Sequence, residues 1–257
     1  MKTAILKISG KALNDIFNTE LWINEIKKIK EAFGGLIIVH GAGQSISEWS
    51  EALGLEAKFI NGQRVTTEKV MDVVAAVQSG ILNSKIVSRM TTCGIDAVGL
   101  SGIDRGTFIA ENVNFNLGNV GIPVVKGNID WIKTLVKEGV VPIFSSVCRN
   151  ETGSLMNVNA DIFTEVLAAA LKADSVFFVS DVTGVKLFGA VQKLVDEQQI
   201  INGIAAKEIT DGMIPKLSSC LQLLNNGINK IWIGKNPEIE LDEEIKINGG
   251  TWIVKSA

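Results

Sequence analysis

Residues 36–43, Leu-Ile-Ile-Val-His-Gly-Ala-Gly, decide how this sequence is interpreted, because an apolar strand-forming run passes directly into three small residues. Ile46, Trp49 and Leu53 follow at helical spacing, so the predicted order is strand, glycine loop, helix. Such a loop lets backbone N–H groups approach an anion closely, and the helix start adds a partial positive charge. Taken alone, an ordinary tight turn explains these residues about equally well.

Two well-known nucleotide-binding fingerprints do not fit this loop. A dinucleotide-binding loop needs a third glycine where Ile46 stands, so it lacks the residue that allows helix and strand to pack closely. The sequence GxxxxGK[ST] is absent from the chain. The loop is therefore compatible with a small anion but does not identify it.

Short β-rich runs alternate with longer helical patterns along most of the chain, which is typical of crossover units around a mainly parallel sheet. We predict an α/β fold, a three-layer α/β/α sandwich. Asn248-Gly249-Gly250 separates two β-rich runs and predicts a hairpin that adds antiparallel strands at a sheet edge. The predicted strands are residues 3–8, 36–40, 97–100, 140–145, 175–179, 230–233, 244–247 and 251–254.

Apolar residues at helical spacing predict the helices that connect these strands. We expect one domain, 1–257, with a lobe boundary near Ala173 and Asp174 that separates lobes 1–173 and 174–257. Gly34-Gly35 is expected to end the first helix. The helical positions are Trp22, Ile26, Ile29 and Phe33, then Ile162, Val166 and Ala169, and finally Leu217, Leu221 and Leu224.

Composition limits the partners and the compartment. The chain has 257 residues, of which 46% are hydrophobic, and a net charge of −3, with no basic stretch interleaved with aromatics, so nucleic acid is not an expected partner. No apolar run approaches the roughly 20 residues that span a bilayer, so we expect no membrane contact and a cytoplasmic protein. Cys93, Cys148 and Cys220 lie far apart, which predicts three buried thiols without a disulfide or zinc site.

Lys7 lies inside the apolar run of the first predicted strand, just before Ser9-Gly10-Lys11. Ligands of open α/β sheets collect at the carboxyl ends of the strands, where this lysine lies. Burial of an ammonium group without a partner is costly, so an anionic ligand is one explanation. A lysine that points to water from an edge strand is the other.

Two further segments combine polar residues with a predicted helix start. Asn157, Asn159 and Asp161 alternate before a helix, and since one cap needs only one side chain, polar recognition is a fair interpretation of the others. Lys216 follows Pro215 near the next helix start, where Thr210 or Asp211 is a candidate cap. A cation there is disfavoured by roughly 0.3–1 kcal/mol unless an anionic ligand compensates.

Seven motifs occur together and in order along the chain: KISGK (7–11), VHGAG (39–43), NGQRVT (61–66), VGLSG (98–102), MNVNAD (156–161), SDVTG (180–184) and TDGMIPK (210–216). This set resembles the amino-acid kinase family over nearly the whole chain. Each motif is weak alone, but sequences that share only a fold are not expected to reproduce NGxRVT and NVNAD together.

The resemblance implies an N-terminal lobe for an acyl amino acid and dimer contact, a C-terminal lobe for ATP, and Mg²⁺ that bridges the phosphates. Lys7 and Lys216 would neutralise the transferring phosphoryl group, and Asp161 would hold both lysines. The implied substrate-binding residues are Ala42, Gly43, Arg64, Asn157 and Asn159, and the implied nucleotide-binding residues are Gly10, Asp181, Val182, Thr183, Gly184, Val185, Ile209, Thr210 and Asp211.

The implied activity is ATP-dependent phosphorylation of the side-chain carboxylate of N-acetyl-L-glutamate, a step of arginine biosynthesis. His40 is the only histidine, and an acceptor carboxylate with a pKa of about 4.3 needs no base at pH 7. We therefore expect His40 to hydrogen-bond the loop without acting in catalysis.

Arg64 has the planar fork that pairs best with a carboxylate, although a surface arginine is the competing interpretation.

Two departures from the family pattern are present. Ala42 replaces the middle residue of a Gly-Gly-Gly loop, and Ser9 replaces the first residue of a Gly-Gly pair. Alanine resists positive φ, so loop geometry could differ. The chain also begins almost at its first strand, without the N-terminal helix of arginine-inhibited hexameric relatives, which implies a homodimer insensitive to arginine.

Two alternatives stay open from the sequence. The acceptor could instead be N-succinylglutamate, an aminoadipate intermediate, carbamate or a phosphate ester. The chain could also be a catalytically silent nucleotide or metabolite sensor that keeps only the fold.

Overall fold

The chain folds into many short strands linked by helices. The computed structural model describes residues 1–13, 19–210, 213–235, 237–241 and 245–256. In chain order, the strands are β1 (Lys2–Ile8), β2 (Gly34–His40), β3 (Phe59–Ile60), β4 (Gln63–Arg64), β5 (Ala97–Ser101), β6 (Phe108–Asn112), β7 (Val120–Val125), β8 (Val141–Ser145), β9 (Cys148–Arg149), β10 (Leu155–Val158), β11 (Ser175–Val179), β12 (Lys186–Leu187), β13 (Ala190–Val191), β14 (Leu194–Asp196), β15 (Ile231–Gly234), β16 (Glu238–Leu241), β17 (Ile245–Asn248) and β18 (Thr251–Val254).

The helices lie between these strands, as the alternating pattern predicts. A π-helical segment, Ala75–Leu82, joins two of the α-helices into one continuous helical stretch. The α-helices are α1 (Glu20–Phe33), α2 (Gly43–Ala52), α3 (Glu68–Val74), α4 (Asn83–Thr92), α5 (Asp130–Lys137), α6 (Ala160–Leu171), α7 (Glu197–Ala205) and α8 (Ile214–Asn225).

The first helix illustrates how the sequence determines local structure. Trp22, Ile26 and Ile29 recur at helical spacing and are buried, so α1 packs by its apolar face. Gly34 ends the helix with φ 76°, and its N–H bonds the carbonyl oxygen of Lys30. Glycine adopts this left-handed conformation without a Cβ clash, so the predicted helix stop is confirmed.

The residues group into two units. Unit 1 comprises Met1–Ile37 and Leu167–Ala257, and unit 2 comprises Ile38–Val166. The predicted lobes, 1–173 and 174–257, have different limits, because β1 pairs with β11 and ties the first residues to the C-terminal segment. The assignment of an acyl-amino-acid lobe and an ATP lobe stays a prediction.

Unit 1 is built on a mainly parallel sheet. β1 pairs in parallel with β11, and β11 pairs in parallel with β15, so these three strands end at the same edge. β18 runs antiparallel to β15 and parallel to β14. The strands β1, β11 and β15 are almost entirely buried, as expected for parallel strands with continuous apolar runs.

Unit 2 contains parallel strands and a second, smaller sheet. Residues 38–40 of β2 pair in parallel with β8, which pairs in parallel with β5. The smaller sheet has the order β6, β7, β10, β9 and is antiparallel except between β7 and β10. The α/β fold with a mainly parallel central sheet is therefore confirmed.

The predicted C-terminal hairpin is wrong in its pairing. Among the described strands, β17 pairs with β16, whereas β18 pairs with β15 and β14. The two glycines between β17 and β18 pack against Trp232 instead of closing a hairpin. The Trp232 indole donates to the carbonyl oxygen of Gly249 at 3.0 Å, and a Cβ added at Gly250 would overlap the indole ring.

The stretch Glu68–Thr92 is long and apolar enough, by length and composition, to cross a membrane. However, its apolar residues at every fourth position are buried within the fold, as in the core helix of a globular protein. These residues are Val70, Val74, Leu82, Ile86 and Met90.

We expect Gly250→Ala to destabilise the fold more than Gly227→Ala. Both glycines have positive φ, 67° and 85°, and alanine in that conformation costs about 1–2 kcal/mol. Only at Gly250 does the added methyl group meet a buried ring, which adds about 1–3 kcal/mol for overpacking, whereas space around Gly227 is open. Urea unfolding of both variants measures this difference, and equal losses would contradict the proposed packing.

Candidate functional site

The loop Gly41-Ala42-Gly43 leads from the end of β2 into α2. The helix begins at Gly43, and Ala42 at its N-cap makes no side-chain capping bond. The N–H groups of the first turn are therefore available to a ligand, in the field of the helix dipole. Ala42 has φ −147° and ψ 11°, so this position does not need the positive φ that favours glycine, and alanine can replace the family's glycine here.

Arg64 lies against this loop. Its Nη2 donates to the carbonyl oxygen of Gly43 at 2.9 Å and to the Ser47 hydroxyl at 2.7 Å. The guanidinium stacks 4.8 Å from the centre of the Phe59 ring. Arg64 is only 8% exposed, so the interpretation as a surface arginine is wrong.

The other terminal nitrogen of Arg64, Nη1, is buried and has no hydrogen-bond partner in the described part of the chain. Burial lowers the pKa of the guanidinium, but arginine stays protonated at neutral pH. A buried charged donor without an acceptor is costly, so this nitrogen is suited to an anionic ligand.

A chain of hydrogen bonds extends from Arg64 to Asn157. The Thr66 hydroxyl donates to the backbone carbonyl of Arg64 at 3.0 Å, and the Asn157 amide donates to the Thr66 hydroxyl at 3.0 Å. β10 places Asn157 opposite Val120 on β7. The structure thus brings together three of the predicted substrate-binding residues, Gly43, Arg64 and Asn157, within unit 2.

Asn159 caps α6. Its side-chain oxygen accepts from the backbone N–H groups of Asp161, at 2.7 Å, and Ile162, at 3.4 Å. One of the three polar residues in this segment therefore has the capping role that the sequence analysis allowed for. Asp161 lies in the first turn of α6 and is largely buried, whereas Asn157 precedes the helix on β10.

His40 ends β2 and is fully buried. Its Nδ1 lies 3.4 Å from the carbonyl oxygen of Gly41, which confirms that it hydrogen-bonds the loop. The Asn83 amide nitrogen lies 3.1 Å from His40 Nε2, so Nε2 accepts and the ring proton resides on Nδ1. Burial lowers the pKa of His40 from 6.5 to about 4, partly offset by the Gly41 carbonyl, and the ring is neutral at pH 7.

In unit 1, Lys7 lies one residue before the end of β1 and is only 5% exposed, so a lysine that points to water is excluded. The next loop is tied to the end of β11, because the Ser9 N–H donates to the Val179 carbonyl at 3.0 Å. Lys11 and Asp181 form an ion pair of 2.9 Å across these two loops. The segment after β1, which includes Gly10, and the segment after β11 therefore lie together at the carboxyl edge.

The Lys11 ammonium, by its hydrogen bond, lowers the pKa of Asp181, and the Ser180 hydroxyl contributes to the same effect at 3.0 Å. Lys11 and Asp181 are both exposed to solvent. An exposed pair of this kind is screened by water and adds little to stability.

The predicted nucleotide-binding residues differ in exposure. Gly184, Val185 and Ile209 are buried inside unit 1, and the Val185 N–H donates to the Thr251 hydroxyl at 2.8 Å. Asp181, Val182, Thr183 and Thr210 have solvent-accessible surface, while Asp211 lies outside the described residues. Their role in nucleotide binding stays a prediction.

The helix that carries Lys216 begins later than the predicted caps. Met213 is the N-cap of α8 and makes no side-chain capping bond, so Thr210 does not cap this helix. Pro215 lies in the first turn, as predicted, followed by the half-buried Lys216.

The three predicted catalytic residues belong to different units, Lys7 and Lys216 to unit 1 and Asp161 to unit 2. Their joint catalytic role stays a prediction.

Unit 1 also has a cavity of about 850 Å³ away from these loops. It adjoins Lys2 and Ser175, at the amino ends of β1 and β11, and Trp252 on β18. Its lining includes none of the predicted nucleotide-binding residues.

Of the predicted thiols, Cys148 and Cys220 are buried, but Cys93 is only half-buried because it follows α4 at its exposed end.

Sequence reasoning did not assign functions to Ser47, Thr66, Gln78 and Asn83. Ser47 and Thr66 contact Arg64 directly, and Gln78 and Asn83 contact His40. A signal for Gln78 is present, since it occupies the same four-residue row as the buried apolar residues of α3 and α4. A polar residue in such a row predicts a buried hydrogen bond.

A family comparison agrees with this geometry. Residues 2–235 match the amino acid kinase family, and the chain belongs to that family.

Similar curated proteins bear a more specific name. The acetylglutamate kinase of Clostridium acetobutylicum is 32% identical to this chain, over 96% of this chain and 88% of that protein. The acetylglutamate kinase of Bacillus licheniformis is 32% identical over 99% of this chain and 97% of that protein. A solved structure, smu.665 from Streptococcus mutans UA159, is 27% identical with a TM-score of 0.85 and covers 98% of both chains.

We expect the ring of His40 to stay neutral down to about pH 4. Between pH 6.5 and pH 4 the unfolded chain binds a proton that the folded chain does not. The free energy of unfolding therefore decreases as the pH is lowered through this window, by about 3 kcal/mol in total. Because His40 is the only histidine, NMR of isotopically labelled histidine reports its titration directly.

The control is His40→Gln, whose side-chain oxygen can still accept from Asn83 but has no proton to gain. Urea unfolding at pH 4.5 and pH 7 should show a smaller loss of stability for this variant than for the unmodified protein. Titration of the ring near pH 6.5 would contradict the assignment.

Proposed function

We propose that this protein transfers the terminal phosphoryl group of ATP to the side-chain carboxylate of N-acetyl-L-glutamate, forming an acyl phosphate in arginine biosynthesis. Support comes from membership of the amino acid kinase family and from the similarity to acetylglutamate kinases over nearly the whole chain. A carboxylate acceptor also suits a chain whose only histidine is buried and neutral, because an ionised carboxylate needs no base.

The observation that carries the proposal is the buried guanidinium of Arg64. One terminal nitrogen is bonded to the anion loop through Gly43, and the other has no partner in the described structure. A carboxylate would accept a charge-assisted hydrogen bond from that nitrogen. We assign the α-carboxylate of the substrate to Arg64, its amide to Asn157 and Asn159, and its phosphoryl-accepting end to the backbone of Ala42 and Gly43.

Phosphoryl transfer needs the protein mainly to neutralise negative charge, because the protein has little covalent chemistry to perform. A phosphoryl-transfer transition state spreads charge over its oxygens, and positioned cations stabilise it. In this proposal Lys7 and Lys216 neutralise the phosphoryl group, and Asp161 orients both lysines. The burial of Lys7 supports this role, because the attraction between an ammonium group and phosphoryl oxygens is stronger where water is excluded.

ATP is proposed to bind in unit 1. Gly10, the segment 181–185 and residues 209–211 would surround the nucleotide. Within the described residues, no group of three or more histidine, cysteine, aspartate or glutamate side chains could hold a metal ion. Mg²⁺ commonly depends on one or two carboxylates and substrate phosphates, so we expect it to bind mainly through ATP.

We further propose that the protein is a cytoplasmic homodimer whose partners are small molecules and not nucleic acid or membranes. The net charge of −3, without a basic stretch, supports small-molecule partners. Light scattering coupled to size-exclusion chromatography measures the assembly.

The expected reaction is tested with purified protein, ATP, Mg²⁺ and hydroxylamine, which traps an acyl phosphate as a hydroxamate. We expect hydroxamate with N-acetylglutamate, and Lys216→Met should lower turnover to background because the phosphoryl charge is no longer neutralised. N-succinylglutamate, an aminoadipate derivative, carbamate and a phosphate ester serve as comparison acceptors, with ADP release as the readout where no acyl phosphate forms.

Turnover with another acceptor and none with N-acetylglutamate would refute the proposed substrate. ATP binding without turnover of any acceptor would instead indicate a catalytically silent sensor.

Arg64→Lys should separate substrate binding from nucleotide binding. Lysine keeps the positive charge but has only one nitrogen. The arginine fork bonds Gly43 and Ser47 with one terminal nitrogen and keeps the other for the substrate, and lysine cannot do both. Since a hydrogen bond to a charged group contributes roughly 1.5–3 kcal/mol, we expect kcat/KM for N-acetylglutamate to fall about ten- to hundredfold, with little change in KM for ATP.

Arg105→Lys is the matched control, because Arg105 also stacks on an aromatic ring of unit 2, that of Trp131, but within the described residues forms no hydrogen bond with the loop. Equal kinetic effects of both substitutions would argue against a substrate role for Arg64.

A further inference from the structure

Gln78 occupies a position in the helical stretch Glu68–Thr92 where an apolar residue is expected. It is only 3% exposed and lies in the row of buried residues spaced by four that includes Val74 and Leu82. Burial of an amide is costly unless its hydrogen-bonding groups are satisfied. Its contacts therefore indicate what the residue does.

The side chain of Gln78 bridges two segments of the candidate site. Its amide nitrogen donates to the carbonyl oxygen of His40 at 3.1 Å and to the hydroxyl of Ser146 at 3.0 Å. Ser146 in turn donates to the carbonyl oxygen of Val158 at 2.6 Å. His40 directly precedes the anion loop, and Val158 lies between the two asparagines assigned to the substrate.

Both N–H donors of the Gln78 amide have an acceptor in this bridge. A glutamine amide has two N–H donors, and both are used here. The hydroxyl of Ser146 accepts one bond and donates another. Loss of Gln78 would therefore leave the His40 carbonyl, at the end of a buried strand, without its side-chain donor.

The π-helical segment explains how Gln78 and Asn83 both reach His40. The N–H of Asn83 bonds the carbonyl oxygen of Gln78, five residues earlier. In an α-helix, residues five apart point about 140° away from each other, whereas the wider π turn brings them toward one face. Gln78 thus contacts the backbone of His40 while Asn83 contacts its ring.

Asn83 also contacts the strands β8 and β5. Its amide nitrogen donates to the carbonyl oxygen of Ile143 at 2.8 Å, and a Cβ added at Gly99 would overlap its side-chain oxygen. Gly99 belongs to the VGLSG motif, for which the sequence suggested no role. The absence of a side chain at Gly99 leaves the space that Asn83 occupies.

We propose that Gln78 is a positioning residue, which sets the distance between the anion loop 41–43 and the substrate-binding segment 157–159 through its bonds to His40 and Ser146. This proposal rests on the proposed function, because it assigns both segments to one substrate. A shift of either segment would misplace the acceptor relative to the loop, and misplacement by about 1 Å can reduce a rate a hundredfold.

The test compares Gln78→Met and Ser146→Ala with Ser79→Ala. Methionine has nearly the shape of glutamine but donates no hydrogen bond. Ser79 is the matched control, since its hydroxyl also joins the helical stretch to the end of β8, at 2.7 Å from the Ser145 hydroxyl, but has no bond to His40 or Val158.

For Gln78→Met and Ser146→Ala we expect kcat/KM for N-acetylglutamate to fall about ten- to hundredfold, with KM for ATP near that of the unmodified protein. The double variant should lose little more than either single variant, since both break the same bridge. Ser79→Ala should keep its kinetic constants even where its melting temperature falls. Equal kinetic losses in all three variants, or none in Gln78→Met, would overturn the proposal.

A second measurement does not depend on the substrate. Amide hydrogen exchange without ligand should become faster at residues 41–43 and 158–159 in Gln78→Met but not in Ser79→Ala. Unchanged exchange in Gln78→Met would overturn the positioning role even if the kinetics changed. If the unmodified protein does not phosphorylate N-acetylglutamate, the proposed function fails, and the exchange comparison still decides whether Gln78 positions the two segments.

Discussion

The candidate substrate site depends on how unit 2 satisfies the polar groups where its buried strands end. A parallel strand that stops inside a protein leaves carbonyl groups that cannot bond to water. At the end of β2 the carbonyl oxygen of His40 accepts a hydrogen bond from the Gln78 amide. The imidazole ring of His40 accepts one from the Asn83 amide. Because those bonds come from one helical stretch, the loop that follows His40 begins from a defined position.

Charge around this loop has few sources. His40 is neutral, so it adds no positive charge beside the loop. Arg64 and the start of α2 are the cationic features that contact Gly43 in unit 2. A buried arginine keeps its charge across the physiological pH range, whereas an unperturbed histidine would lose or gain charge within it. Recognition of an anion in unit 2 is therefore expected to vary little with pH.

Much of the fold follows from local pattern. Apolar β-branched runs predicted eight of the eighteen described strands, among them the parallel strands β1, β11 and β15, and Gly34 predicted the end of α1, because those features depend on neighbours in sequence. The C-terminal hairpin was wrong because Asn248-Gly249-Gly250 has the turn chemistry of a hairpin, while the contact that determines its path is made with Trp232, distant in sequence. A local signal cannot reveal which distant ring the backbone will contact.

The same distinction applies to the candidate site. Arg64 and Asn157 were predicted from chemistry and from the family motifs, and the structure links them through Thr66. Gln78 was not predicted, because its meaning depends on a π-helical turn and on the strand ends beneath it. Asn159 shows the converse, since a residue assigned to the substrate from sequence also has a structural role as the cap of α6.

Ala42 shows why a departure from a family pattern has to be judged by backbone conformation. A glycine triplet suggests that positive φ is needed, and alanine in its centre would then strain the loop. Here φ at Ala42 is −147°, so alanine avoids the cost of a positive φ, and its side chain is buried. The family's central glycine is therefore not required for this loop conformation. In the proposed function the ligand contacts of this loop come from backbone N–H groups, which alanine supplies as well as glycine does.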